Sequence, residues 1–197
     1  SGKAITILQT VTAVTDQAGK REALNFPCDE AFPSASQETM FDRVGRPAVD
    51  ATLQGFNGTV MCYGQTGAGK SFTMVGSRDN YAQRGLAPRS IAHAFREAAN
   101  HPEYEYTMRF SCLEIYNDVM YDLLSTLPSD APRQELSLSE LRGGRVEVKG
   151  LLAPEVESEQ AALEMLFTAE ANRAVAQHQL NQTSSRSHVL YLLQVTR

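Results

Sequence analysis

The chain has 197 residues, 42% of them hydrophobic and 21% charged, with 13 Gly and 8 Pro. This makes one domain with a single core and excludes disorder, collagen and low complexity. A net charge of −5 without a basic stripe argues against DNA, RNA or an acidic filament as a tight electrostatic partner of the chain. No apolar run reaches the roughly 18 residues of a membrane span, and Ser1-Gly2-Lys3-Ala4 opens no signal peptide. Cys28, Cys62 and Cys112 lie far apart, which gives neither a disulfide framework nor zinc spacing and fits a reducing, intracellular compartment.

In chain order, Ala4 to Val14 and a second stretch ending at Phe26 read as a hairpin around Asp16-Gln-Ala-Gly19. Ser34-x-x-Gln37 has capping-box spacing, and Met40, Phe41, Val44, Ala48, Ala51 and Leu53 continue a helix to Gly55, kinked at Pro47. Gly58 to Tyr63 has strand character and runs into a glycine-rich turn. A helix starts near Lys70, is interrupted by Gly76-Ser-Arg-Asp-Asn80, and resumes from Pro88 through Ile91, Ala92, Phe95 and Ala99. Glu105 to Tyr116 is extended, Pro128 to Pro132 a loop, and Val146 to Val148 a short strand. Ser158 caps a helix carrying Ala162, Leu163, Leu166, Phe167 and Ala169, and after polar Gln177 to Ser187 the run Val189 to Val195 reads as a buried central strand. Strands alternating with helices define an α/β layered domain.

Gly64-Gln65-Thr66-Gly67-Ala68-Gly69-Lys70-Ser71 satisfies G-x-x-x-x-G-K-[ST] in full, between a predicted strand and a predicted helix. The glycines let backbone amides turn inward around a phosphate, Lys70 adds a cation, and the Ser71 hydroxyl can ligate Mg²⁺, so the pattern suits a nucleoside triphosphate. The D-x-x-G match Asp16-Gln-Ala-Gly19 precedes this loop and has turn composition, and N-K-x-D, which reads guanine, does not occur. Beyond it, Asn181-Gln-Thr-Ser184-Ser185-Arg186-Ser187-His188 is a dense polar cluster suited to sensing a phosphate and a metal, or alone a polar surface turn. His93, His101 and His178 lack metal-ligand spacing and read as structural or solvated.

Together the two motifs resemble the kinesin motor domain, whose P-loop reads G-Q-T-G-x-G-K-[ST] and whose switch I reads N-x-x-S-S-R-S-H. Ser36-Gln-Glu, Gly55-Phe-Asn-Gly-Thr59, Phe72-Thr-Met74, Arg84-Gly-Leu-Ala-Pro88, Leu113-Glu-Ile-Tyr-Asn117 and Tyr121-Asp-Leu-Leu124 agree with it, over nearly the whole chain. The resemblance implies a P-loop NTPase fold, a central, mostly parallel or mixed sheet flanked by helices, with residues 1–197 as one partial motor domain. It implies ATP and Mg²⁺ as ligands: Gly64 to Ser71 around the phosphates, Phe72 against the adenine, Ser71 and Ser185 at the metal. Asn181, Ser184 and Ser185 would close over the γ-phosphate, Arg186 would pair with a switch II glutamate, and His188 would hold switch I to its strand.

A first strand with R-x-R-P, switch II (D-x-x-G-x-E) and the microtubule-docking helices are not found in the sequence, which therefore reads as the nucleotide-binding portion of a microtubule motor. The alternative is a kinesin-like structural or regulatory module that does not hydrolyse ATP. Arg142-Gly-Gly-Arg145-Val-Glu-Val-Lys149 is either a track-contacting basic loop or an ordinary solvated hairpin. Tyr81 to Leu86 and Tyr121 to Pro128 look most like the ninth kinesin class, which implies the cytoplasmic cytoskeleton and cilia or flagella.

Overall fold

The computed structural model describes residues 28–125, 134–144, 146–179 and 186–197. The predicted hairpin over residues 4–26 and the loop Pro128 to Pro132 lie outside them. The chain divides into two compact units, Ser1–Ser36 and Gln37–Arg197. In the first, residues 28–36 carry no helix or strand; the rest of the account concerns the second.

The first predicted helix exists and is built in three pieces: α1 (Gln37–Met40), a π-helical turn (Phe41–Gly45) and α2 (Arg46–Leu53). Pro47 explains the turn, because a proline has no N–H to donate and its ring crowds the carbonyl four residues back. Widening the preceding turn relieves the crowding, and the Arg46 N–H reaches back five residues to the Phe41 carbonyl. Gly45 fits there because a Cβ would stand 2.7 Å from the Phe41 ring.

Five strands, β1 (Thr107–Tyr116), β2 (Val119–Asp122), β3 (Glu135–Glu140), β4 (Val146–Lys149) and β5 (Ser187–Thr196), form one sheet in the order β4-β3-β2-β1-β5. Every pairing is antiparallel, which corrects the expected parallel or mixed sheet for the described residues. The physical reason is connectivity. Asn117 and Asp118, at φ of 47° and 63°, make a tight two-residue turn between β1 and β2, and β3 and β4 are joined through Gly143 and Gly144 at φ of 90° and 77°. The sequence alone does not mark β2 or β3 as strands.

β5 pairs with β1 over ten residues, from Tyr116 opposite Ser187 to Thr107 opposite Thr196. On one face Met108, Phe110 and Cys112 stand beside Val195, Leu193 and Tyr191 and pack on α4 (Leu86–Asn100) and α5 (Glu159–Gln179). Ile91 and Ala94 of α4 and Ala162, Leu163, Leu166 and Phe167 of α5 complete that core. Burial of a side chain the size of Phe110 or Leu166 contributes about 2–3 kcal/mol each. The other face leaves Leu190 and Leu192 about 40% exposed, so β5 alternates between cover and exposure at the edge of the described sheet and is not the buried central strand expected. Its apolar run on both faces produced that expectation.

Ser158 caps α5 as predicted, its hydroxyl accepting the Ala161 N–H at 3.2 Å. No helix among the described residues is long and apolar enough to cross a membrane. All three cysteines are free, and burial raises the thiol pKa of Cys112 strongly, with Glu170 and Asp122 adding to it. A raised pKa leaves less thiolate at any pH. Cys112 therefore stays unmodified by Ellman's reagent in the folded chain and reacts once urea unfolds it, as peptide mass mapping will show.

Candidate functional site

Gly58 to Tyr63 forms no strand and joins none of the described strands. Met61 and Tyr63 are 81% and 96% exposed, so the predicted strand is corrected to an irregular segment among the described residues. A strand is defined by its hydrogen-bonded neighbours, and none of the described strands lies beside this one.

The loop that follows turns as its sequence requires. Gly67 and Gly69 sit at φ of 83° and 82°, a region that costs glycine nothing, and at both a Cβ would meet open space. The turn tightens through the Ala68 N–H to the Gln65 carbonyl at 3.2 Å. Helix α3 (Lys70–Met74) starts on Gly69, whose carbonyl accepts the Thr73 N–H. From its first residue Lys70 folds back across the loop, its Nζ donating to the Gly64 and Gln65 carbonyls, each at 2.8 Å. Two of the three ammonium hydrogens are thereby used, and one is left to donate outward.

Gly64, Gln65 and Lys70 are thus brought together, with Thr66, Gly67, Ala68 and Gly69 exposed around them and the exposed Ser71 next in α3. This donor set fits a phosphate group with its metal: an ammonium and a glycine-rich backbone for the anion, a hydroxyl for Mg²⁺. The Phe72 ring is 53% exposed.

α3 is short because the chain leaves it on a small excursion closed by backbone. Gly76 bridges Arg84, the Ser77 N–H donates to the Gln83 carbonyl, and the Gly85 N–H donates to the Val75 carbonyl at 2.8 Å. Gly76 and Gly85 are both required. A Cβ would lie 2.0 Å from the Gln83 oxygen at the first and 2.5 Å from the Thr73 oxygen at the second. Arg89 of α4 clasps the Tyr81–Gln83 turn, its guanidinium donating to the Arg84, Tyr81 and Ala82 carbonyls and lying over the Tyr81 ring.

Asn181, Ser184 and Ser185 lie outside the described residues. Arg186 is exposed at the entry to β5, and among the described residues no hydrogen bond or ion pair joins it to Gly64–Ser71. His188 is exposed in β5 opposite Ile115. His93 is structural: it is buried between α2 and α4, with Nε2 2.7 Å from Asp50 and its ring edge-on to Phe41. His101 is solvated beside Glu103, and the His178 side chain is outside the described set. Arg142 and Lys149 are exposed on the β3–β4 hairpin, and Arg145 is not described.

Sequence reading missed a buried polar group behind Ser187. Arg173 of α5 donates from Nη2 to Ser187 Oγ at 3.0 Å, and its Nε stands 3.5 Å from Oε1 of the fully buried Glu114. Tyr191 donates to Glu170, and Asn172 donates to the Leu123 carbonyl at 2.8 Å. Burial and Glu170 push the Tyr191 hydroxyl far above its usual pKa. A signal was present, since charged Glu114 stands among apolar Cys112, Leu113 and Ile115, and a buried carboxylate calls for a cation.

The fold is that of the P-loop NTPases. The kinesin motor domain family matches residues 4–197, and the chain belongs to that family. It is 42% identical over 170 residues to the kinesin-like protein KIF9 of Mus musculus, covering 86% of this chain and 21% of that protein. It is 41% identical over 178 residues to the kinesin-like protein KLP1 of Chlamydomonas reinhardtii, covering 89% and 22%. The solved structure of a fast kinesin superposes with a TM-score of 0.82 at 40% identity, covering 89% of this chain and 49% of the other. The chain thus spans about a fifth of these curated relatives and about half of that solved chain.

Replacing Arg173 with Met removes the guanidinium that stands 3.5 Å from the buried Glu114 carboxylate. Urea unfolding should register a loss of about 3–5 kcal/mol, against little change for the exposed Arg142→Ala.

Proposed function

We propose that the chain is the nucleotide-binding portion of an ATP-driven microtubule motor. The observation that carries this reading is the Lys70 ammonium held across the Gly64–Ser71 loop by two backbone carbonyls. Such a loop holds the α- and β-phosphates by backbone amides, with Lys70 on the β- and γ-phosphates and the Phe72 ring available to the adenine. Ser71 and Ser185 would hold Mg²⁺, which when bound would supply neutralisation of the phosphate charge. Asn181 and Ser184 would close over the γ-phosphate and order the attacking water, and Arg186 would pair with a glutamate beyond Thr196. Rate enhancement then comes from positioning and electrostatics, the motive step from ordering and release of the switch.

The basic β3–β4 hairpin, through Arg142, Arg145 and Lys149, is the proposed contact with tubulin. Exposure of Arg142 and Lys149 at one sheet edge supports it. The likeness to KIF9 and KLP1 supports a motor of the ninth class, working on the cytoskeleton of cilia or flagella.

The test is turnover of Mg-ATP by the longer motor that contains this chain, with and without microtubules. Stimulated turnover that falls about a hundredfold or more in Lys70→Ala, with microtubule co-sedimentation retained, is the expected result. Nucleotide binding without stimulated turnover would replace the motor with a non-hydrolysing kinesin-like module.

A further inference from the structure

Gln37, marked in the sequence by its capping-box spacing and by the Ser36-Gln-Glu stretch, does other work in the structure. Its side chain is buried, and its amide Nε2 donates to the Phe72 carbonyl at 2.6 Å and to the Gln83 carbonyl at 3.3 Å. Both acceptors are more than thirty residues away in sequence, on α3 and on the turn that follows it.

Accounting for the backbone groups at the end of α3 shows why a donor is needed there. In a continuing helix the Phe72 carbonyl would accept the N–H of residue 76. Here the Gly76 N–H goes instead to the Ser71 carbonyl at 3.1 Å, which already takes the Val75 N–H at 2.9 Å. The shift follows from Gly76 at φ 70°, where the chain turns out of the helix into the excursion closed at Gly85. The Phe72 oxygen thereby loses its helical donor, and the Gln37 amide takes that place. The second amide hydrogen ties the same side chain to Gln83, whose oxygen also accepts Ser77. Gln37 is therefore the pin between α1, the end of the phosphate-loop helix and the far side of the excursion.

We propose that Gln37 is a positioning residue of the nucleotide site, holding the one-turn helix that carries Lys70, Ser71 and Phe72 in the orientation that binds Mg-ATP. The proposal rests on the nucleotide-site reading above. It acts through geometry alone: Gln37 touches the main chain of Phe72 from the protein interior, while the Phe72 ring faces outward at 53% exposure. A helix of five residues has few internal hydrogen bonds to fix its own direction, so an external donor to its main chain at Phe72 holds the orientation of the residues it carries.

The experiment is a fluorescence titration of the chain with N-methylanthraniloyl-ATP and Mg²⁺, for wild type, Lys70→Ala, Gln37→Met and Gln37→Glu. Gln37→Met keeps the side-chain length and removes both donors, and should weaken binding about tenfold with an unchanged far-UV spectrum. Gln37→Glu sets a carboxylate against two carbonyls at about pH 8 and should bind as weakly there. At about pH 5.5 the protonated carboxyl regains one donor, and affinity relative to wild type should recover. A purely structural role would not move affinity with pH in this way. Wild-type affinity in Gln37→Met, with Lys70→Ala weakened, overturns the proposal and leaves the nucleotide site standing. Should Gln37→Met not fold, a pH-independent ratio of Gln37→Glu to wild type overturns it equally. Absence of saturable binding by wild type overturns the nucleotide-site reading and this proposal with it.

Discussion

The ten-residue antiparallel pairing of β1 with β5 is the constraint on which the arrangement of this domain rests. Its register decides which side chains face the helices. With Phe110 opposite Leu193 and Cys112 opposite Tyr191, one continuous apolar face meets α4 and α5. A slip of one residue would turn Met108, Phe110 and Cys112 to the opposite face and bring Arg109, Ser111 and Leu113 onto the helices. The same register puts Ser187 at the start of β5, where the polar cluster of the second motif enters the sheet, and Arg173 reaches that residue from α5. Packing of the core and the anchoring of Ser187 are therefore one piece of geometry.

A second constraint acts on the phosphate loop. Gly67 and Gly69 let the backbone turn at positive φ, Lys70 closes the turn from inside, and Gly76 and Gly85 permit the backbone approach that ends α3 after five residues. The glycines meet local demands that other residues meet only with strain, positive φ at Gly67, Gly69 and Gly76 and close backbone approach at Gly76 and Gly85. The rigidity that a short helix cannot supply comes from outside it, through Gln37 and the Arg89 clasp.

Local chemistry was legible in the sequence where a residue type has few alternatives. The G-x-x-x-x-G-K-S loop, the interruption of the helix at Gly76, the Ser158 cap and the Pro47 distortion all stand where residue chemistry puts them. Partnership was not legible. Gly58 to Tyr63 has the composition of a strand and no described neighbour, while β5 is apolar on both faces and yet sits at the edge of the described sheet. Strand neighbours are chosen by tertiary packing, which composition does not encode. Nor did spacing disclose that Gln37 donates to Phe72 or that Glu114 faces Arg173, because both contacts join elements distant in sequence. The proposed switch role of Asn181, Ser184 and Ser185 rests on their motif and on membership of the kinesin family.

If Gly64 to Ser71 is a phosphate site, bound nucleotide protects the amides of that loop. Hydrogen–deuterium exchange of the chain with and without Mg-ATP reads those amides themselves. Exchange should slow in peptides spanning residues 64–72, with the β3–β4 hairpin unchanged. Unaltered exchange across 64–72 at saturating Mg-ATP would mean that the loop does not hold phosphate.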